Sequence, residues 1–329
     1  MSRATHADEI AEAVAVLRGG GLVAFPTETV YGLGADASLP AAVRRVFAVK
    51  GRPVDHPLIV HLAQASQLDA WASEVPPLAR RLAAALWPGP LTLVLRKAAH
   101  VDAVVTGGLE TLALRVPAHP LALALLREHG GGIAAPSANR FGRVSPTTAA
   151  HVREDLGDDV ALVLDGGPCA VGIESTIVDL SRGDDGAAIL RPGGVSAERL
   201  AAIVGRTLPV RDDAQVRTPG QLPSHYAPRA RVLVVEPAAL AHTLATLPSS
   251  RVGVIEAVAG IPAPRWHDGP PLRVELDPER DLAHQLYATL RQLDAAGCDV
   301  IVATLPPPAE LGLAVADRLR RAAGPRDDA

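Results

Sequence analysis

The sequence predicts an α/β protein of two domains, and three observations carry that expectation. Short apolar runs of strand length alternate with segments of helical periodicity. Several of these runs open into polar, glycine-rich turns, where open α/β sheets build their sites. A stretch without hydrophobic period, Pro209 to Arg229, separates a longer part from a shorter one. The length, 329 residues, also suits two domains. The expected boundaries are 1–208, a linker or lid at 209–229, and 230–329.

In the first part, Ile10, Ala11, Val14 and Leu17 fall at helical spacing within Asp8–Arg18, and Gly19-Gly20-Gly21 ends that helix. Leu22–Phe25 is an apolar strand stopped by Pro26, which has no N–H for the ladder. Thr27-Glu28-Thr29 and a Gly-x-Gly at Gly32 and Gly34 read as a polar loop beyond it. A helix over Pro40–Val49 takes proline in its first turn and delivers Lys50-Gly51-Arg52-Pro53. Leu58–Leu62 is a strand interrupted by His61, and Pro76–Leu86 is a helix stopped by Trp87-Pro88-Gly89-Pro90. Leu91–Leu95 and Leu112–Val116 are strands, with Arg115 inside the second, and Leu121–Glu128 is helical. Ile133–Ala135 opens into Pro136-Ser137-Ala138-Asn139. Ser145-Pro146 reads as an N-cap with proline at the first helical position, starting a helix to Leu156. Val160–Leu164, Ser175–Leu180 and Ala188–Arg191 are strands, and Ser196–Val204 is a closing helix.

The stretch 209–229 holds four prolines, His225 and Tyr226, and is too long for an ordinary connection. After it, strands at Arg231–Val235, Val252–Ile255 and Val300–Ala303 alternate with helices at Ala238–Leu247, Pro278–Ala296 and Leu311–Ala323. That alternation implies parallel βαβ units, without a G-x-G-x-x-G turn.

Composition narrows the function. Hydrophobic residues make up 48% and aromatics 3%, so the cores are aliphatic. The net charge of −4 gives no support for non-specific nucleic-acid or membrane binding, although it leaves room for a local basic groove. Two distant cysteines and eleven scattered histidines form no disulfide framework or zinc pattern. No apolar run approaches the ~20 residues that span a bilayer, and the N-terminal segment lacks a signal-peptide core. A soluble, cytoplasmic protein is expected. All but two of the 32 basic residues are Arg; the exceptions are Lys50 and Lys97.

Five polar clusters punctuate the first part. Thr27 to Thr29 is one. Lys50 and Arg52 are another; as an extended i, i+2 pair they would share a face and suit a polyphosphate. His56 and His61 form the third, and a lone histidine in an apolar strand, as His61 is, is more often a satisfied core residue than a ligand. Ser137 and Asn139, with Ser145, Thr147 and Thr148 downstream, form the fourth; they suit carboxylate or phosphate oxygens near a helix start, or simple capping. Glu174, Ser175 and Thr176, with Arg191 on the next strand, form the fifth. There is no G-x-S-x-G, Cys–His or Walker A pattern. Such a set positions small anionic ligands and neutralises their charge.

FPTETVYGLGA, KGRP followed by HPLIVH, WPGPLTLVL, LALRVPAHP, APSANRFGRVSPT, GIESTIVDL and LRPGG occur in this order. Over about residues 8–208 the chain resembles the threonylcarbamoyl-AMP synthases, the Sua5/YrdC family. HYAP at His225–Pro228 and the α/β tail resemble the long form with a C-terminal Sua5 domain. The resemblance implies a YrdC-like twisted open sheet with a concave, positively lined cleft, and a smaller Rossmann-like C-terminal domain. It implies a nucleotidyltransferase that condenses L-threonine, bicarbonate and ATP into L-threonylcarbamoyladenylate and releases pyrophosphate. The product serves t6A formation at position 37 of tRNAs that read ANN codons.

By this resemblance Lys50 and Arg52 face the triphosphate as the catalytic cations. Arg115 holds the threonine carboxylate, with Thr29, His61 and Ser175 near the amino acid and Ala135 contributing backbone. Arg52, His56, Thr111, Ser137, Asn139, Ser145 and Arg191 surround the nucleotide, and Tyr226 folds back as a lid. Mg²⁺ is expected to accompany ATP, with no residue set aside as its ligand. The downstream threonylcarbamoyl-transfer complex is an expected partner, and direct tRNA binding is left open. The chain departs from many relatives in carrying His56 where they have Asn, and in a less basic linker at Gln221–Ser224. The alternative is an RNA-binding or ribosome-associated module of YrdC type without this activity.

Overall fold

The computed structural model describes residues 3–211, 225–247, 251–256, 272–273 and 282–325. It comprises two compact units, Met1–Phe141 with Ser145–Gln221, and Gly142–Val144 with Leu222–Ala329.

The first unit contains, in chain order, α1 (Arg3–Arg18), β1 (Val23–Phe25), β2 (Gly32–Asp36), α2 (Pro40–Lys50), β3 (Ile59–His61), α3 (Leu68–Trp71), α4 (Pro77–Leu86), β4 (Leu91–Arg96), α5 (Ala103–Thr106), β5 (Thr111–Arg115), α6 (Pro120–His129), β6 (Ile133–Ala134), α7 (Ala149–Leu156), β7 (Leu162–Val163), β8 (Thr176–Asp179), β9 (Ala188–Arg191) and α8 (Ala197–Val204). The strands form one nine-stranded mixed sheet in the order β7-β1-β2-β6-β3-β5-β4-β8-β9.

Strand alternation sorts the side chains onto two faces. Leu33 and Ala35, Val60, Leu93, Leu112 and Leu114, Val178 and Ile189 join the main core, together with apolar residues of α2, α3, α4, α5, α7 and α8. On the opposite face, α1 and α6 bury Val23, Phe25 and Ile133. Further along that face, Ile59, Val94, Ala113, Ile177 and Leu190 form a strip contributed by β3, β4, β5, β8 and β9 alone. This strand-only strip is where the polar residues gather.

Two local expectations are corrected. The Gly-x-Gly segment belongs to a strand, β2, antiparallel to β1 in the register Val23↔Gly34 and Phe25↔Gly32. Its glycines serve close packing: a Cβ on Gly34 would lie 2.8 Å from the Phe25 ring and 2.9 Å from Ile133 Cγ2. The helix expected from Ser145-Pro146 begins later, at Ala149, capped by Thr148, whose hydroxyl accepts the His151 N–H at 3.3 Å. Ser145 is thereby left for a different partner.

In the second unit, β10 (Arg231–Val235), α9 (Leu240–Thr246), β11 (Val252–Ile255), β12 (Leu272–Arg273), α10 (Leu282–Ala295), β13 (Val300–Thr304) and α11 (Gly312–Ala322) follow one another. The sheet order is β10-β13-β11-β12, all parallel, as the alternating pattern implied. Residues 212–224, most of the expected linker, lie outside the described residues. Among the described residues, no helix is long and apolar enough to cross a membrane.

Gly34→Ala should lower stability by about 1–3 kcal/mol through overpacking against Phe25 and Ile133. Urea unfolding of the two proteins checks this, and an unchanged midpoint would contradict the packing account.

Candidate active site

Parallel pairing of β3 and β5 sets His61 opposite Arg115. Each lies two residues beyond a member of the strand-only strip, Ile59 and Ala113, so both project onto that face. Thr111 shares the face at the other end of β5, roughly 13 Å from Arg115 along the strand. Thr92, two residues before Val94, joins them, and its hydroxyl lies 2.7 Å from that of Ser175. Arg191 donates to the Ser175 carbonyl at 2.9 Å and to its hydroxyl at 3.2 Å.

The loop after β1 meets Arg115. The guanidinium donates to Thr29 Oγ1 at 2.9 Å and through Nε to the Gly89 carbonyl at 3.2 Å, and pairs with Glu28 at 2.7 Å. The other Glu28 oxygen accepts the Ala118 N–H at 2.9 Å. A second buried carboxylate, Glu174, accepts the Ser145 hydroxyl at 2.6 Å. Glu28 and Glu174 stood within the polar clusters but were not predicted as site residues. Their signal is that a buried carboxylate needs a partner, here a cation and a hydroxyl predicted for the site.

The expected extended geometry of Lys50 and Arg52 is replaced by a sharper turn. Lys50 closes α2, and Gly51 adopts the left-handed conformation, with φ of 64°. The two cations take different partners there. Lys50 Nζ donates to the Ser137 carbonyl at 2.6 Å and the Asn139 carbonyl at 2.5 Å. Burial, then the Arg52 charge, lower its pKa well below the usual lysine value. Arg52 donates to the Pro57 carbonyl at 3.0 Å and lies 5.9 Å from the Phe141 ring centre. His56 approaches the same ring at 5.5 Å. Phe141, in the ANRFG segment, was not predicted, although an aromatic beside two cationic candidates is a readable signal.

The loop bearing Ser137 and Asn139 is threaded onto β2 and β3. Ala135 N–H donates to the Ile59 carbonyl at 2.9 Å, Leu33 N–H to the Pro136 carbonyl at 2.8 Å, and Ala138 N–H to the Tyr31 carbonyl at 2.9 Å. Ala135, predicted to contribute backbone, is thus fixed beside β3.

Contacts connect most of the predicted residues into groups: Thr29 with Arg115, which faces His61; Ser175 with Arg191; Lys50 with Ser137 and Asn139; Arg52 and His56 around Phe141. Ser145 joins Glu174, one residue before Ser175. Tyr226 lies in the second unit. There its buried ring stacks on Tyr287 at 5.6 Å, with the Arg318 guanidinium 5.1 Å from its centre.

His61 is 3% exposed, edge-on to Phe25 at 5.8 Å, and its Nδ1 has no hydrogen-bond partner among the described residues. Burial, then the Arg115 charge, push its pKa down from 6.5 to about 3. The imidazole is therefore neutral at physiological pH. The folded pKa lies below the unfolded one, so the unfolded chain binds more protons between them. The stability this contributes is present above pH 6.5 and lost as pH falls toward about 3. His61→Gln should flatten that acid dependence. Urea midpoints at neutral pH and near pH ~4.5 check it, the drop for the parent chain being expected to exceed that for the variant.

Residues 15–193 match the Sua5/YciO/YrdC family model, described as telomere recombination. Residues 195–324 match the model described as threonylcarbamoyl-AMP synthase, C-terminal domain. The threonylcarbamoyl-AMP synthase of Bacillus subtilis is 43% identical over 336 residues, covering 98% of this chain and 95% of its own. That of Pyrococcus abyssi is 43% identical over 327 residues, covering 95% and 94%. The crystal structure of P. abyssi Sua5 complexed with L-threonine matches with a TM-score of 0.87 at 42% identity, covering 95% of this chain and 94% of that one. Two consecutive domain matches, near-full-length identity and a shared architecture lead to one conclusion: the chain belongs to the Sua5/YrdC family of threonylcarbamoyl-AMP synthases, in the long form with a C-terminal Sua5 domain.

Proposed function

We propose that the chain condenses L-threonine, bicarbonate and ATP into L-threonylcarbamoyladenylate for tRNA t6A37 modification. The observation that carries this reading is the gathering of cations and hydroxyls along the strand-only strip, in a chain whose full-length relatives bear the synthase name. The threonine amine adds to the carbon of bicarbonate with loss of water, giving a carbamate. A carbamate oxygen then attacks the α-phosphorus of ATP, and pyrophosphate leaves.

The carbamate and ATP that meet in the second step are both anionic, and placement with charge neutralisation is the help the chain can give. Arg115 takes the amino-acid carboxylate, with Thr29, His61 and Ser175 around the amino acid. Arg52 faces the triphosphate, with His56 beside it. Lys50 spends two of its three N–H groups on the Ser137 and Asn139 carbonyls, so its first task is to hold the nucleotide loop. Thr111, Ser145 and Arg191 complete the nucleotide side.

Among the described residues, no group of three or more His, Cys, Asp or Glu is arranged to hold a metal ion. Magnesium suits such a site when carried by phosphate oxygens and water. It would supply further neutralisation of the triphosphate. The product is handed to the complex that transfers threonylcarbamoyl to tRNA, and the reaction takes place in the cytoplasm.

Pyrophosphate release should require ATP, L-threonine, bicarbonate and Mg²⁺, each omitted in turn, and no tRNA. Arg52→Ala should stay folded with a lowered melting temperature and lose at least about 100-fold in kcat/KM, the scale of removing one charge-stabilising group. Unchanged turnover would remove Arg52 from the site. RNA affinity with a steep salt slope and no pyrophosphate would favour the RNA-binding reading.

A further inference from the structure

Glu28 touches neither the predicted nucleotide groups nor the strip, yet it is the carboxylate paired with Arg115. It reaches two elements at once, through the ion pair at 2.7 Å and the Ala118 N–H at 2.9 Å. The guanidinium is thereby held on three sides, by Glu28, Thr29 and the Gly89 carbonyl. Two of its N–H groups are spent on hydrogen bonds, to the Gly89 carbonyl and to Thr29 Oγ1, and Nη2 faces Glu28 as an ion pair.

The same contacts place Thr29. Thr27 Oγ1 reaches the Val30 carbonyl at 2.6 Å, and accepts the Thr29 and Val30 N–H groups at 3.2 Å each. The two threonine hydroxyls lie 2.8 Å apart, and either can donate to the other. Thr29 Oγ1 also accepts from Arg115 at 2.9 Å, which fixes that oxygen beside the guanidinium. A cation beside a fixed hydroxyl oxygen suits an α-amino acid, whose carboxylate accepts and whose amino group donates.

We propose that Glu28 is the positioning residue for amino-acid recognition: by locking Arg115 it sets the direction of the guanidinium donors and, through Arg115, the place of the Thr29 hydroxyl. The proposal rests on the function given above and deepens it. Glu28 acts through Arg115, so its removal disturbs threonine and leaves the nucleotide side alone. Glu28→Gln keeps the shape and the contact to Ala118, but loses the charge that holds the guanidinium.

Isothermal titration with L-threonine and with ATP tests this, together with the KM and kcat of pyrophosphate release. Glu28→Gln should weaken L-threonine binding at least tenfold and raise its KM to match. ATP affinity and kcat at saturating threonine should stay within about threefold. In an Arg115→Met background, Glu28→Gln should cause no further loss, because the group it positions is gone. That double variant leaves no buried charge unpaired and carries the test if Glu28→Gln alone does not fold. Equal threonine affinity in Glu28→Gln and the parent, matched losses for threonine and ATP, or a further loss in the Arg115→Met background would each overturn the role of Glu28 while leaving the synthase reading intact. A parent chain that neither binds threonine nor releases pyrophosphate would overturn both.

Discussion

Burying cations is the constraint that organises the first unit. Lys50, Arg52, Arg115 and Arg191 are all at most 7% exposed. A buried charge is tolerated only when acceptors surround it. Most of those acceptors are main-chain carbonyls, of Ser137 and Asn139, Pro57, Gly89 and Ser175. A carbonyl cannot be recruited without fixing the loop that carries it. Each cation thus pins one loop, and the loops that bear the ligand-facing residues become ordered by the charges they serve.

The sheet supplies the other half of the arrangement. Its strands are short, three residues for β1 and β3 and two for β6 and β7, so polar residues follow closely on each apolar pair. Alternation then delivers His61, Arg115, Thr92 and Ser175 to one face. On that face α1 and α6 pack against the sheet near β1 and β6. Beyond them Ile59, Val94, Ala113, Ile177 and Leu190 form a small buried aliphatic strip beside those polar residues. The opposite face is fully committed to the main core, which separates the work of stability from the work of binding.

Two carboxylates temper this concentration of positive charge. Glu28 neutralises Arg115, and Glu174 holds the Ser145 hydroxyl. The arrangement is less a basic patch than a set of donors held at fixed angles. That distinction explains why a chain with a net charge of −4 can still present a site for polyphosphate and carboxylate groups. His61 adds a group with no charge at all, kept neutral by burial and by Arg115.

Most strands and helices were legible because hydrophobic period and proline or glycine punctuation are local signals. The Lys50/Arg52 pair, Arg115 within its strand and the Ser137–Asn139 segment were legible as chemistry, and the ordered motifs connected them to a family. The antiparallel strand Gly32–Asp36 was hidden because glycine carries no pattern; its place follows from the Phe25 and Ile133 side chains that leave no room for a Cβ. The late start of the helix at Ala149 was hidden because Ser145 had a competing use as a donor to Glu174. From the chain alone came the two-part α/β plan and the residue types a phosphate and carboxylate site requires. The strand order, the face on which each helix packs, and the partner each buried charge takes belong to the tertiary structure. They depend on contacts between residues far apart in the chain, such as Glu28 with Arg115, which no local spacing encodes.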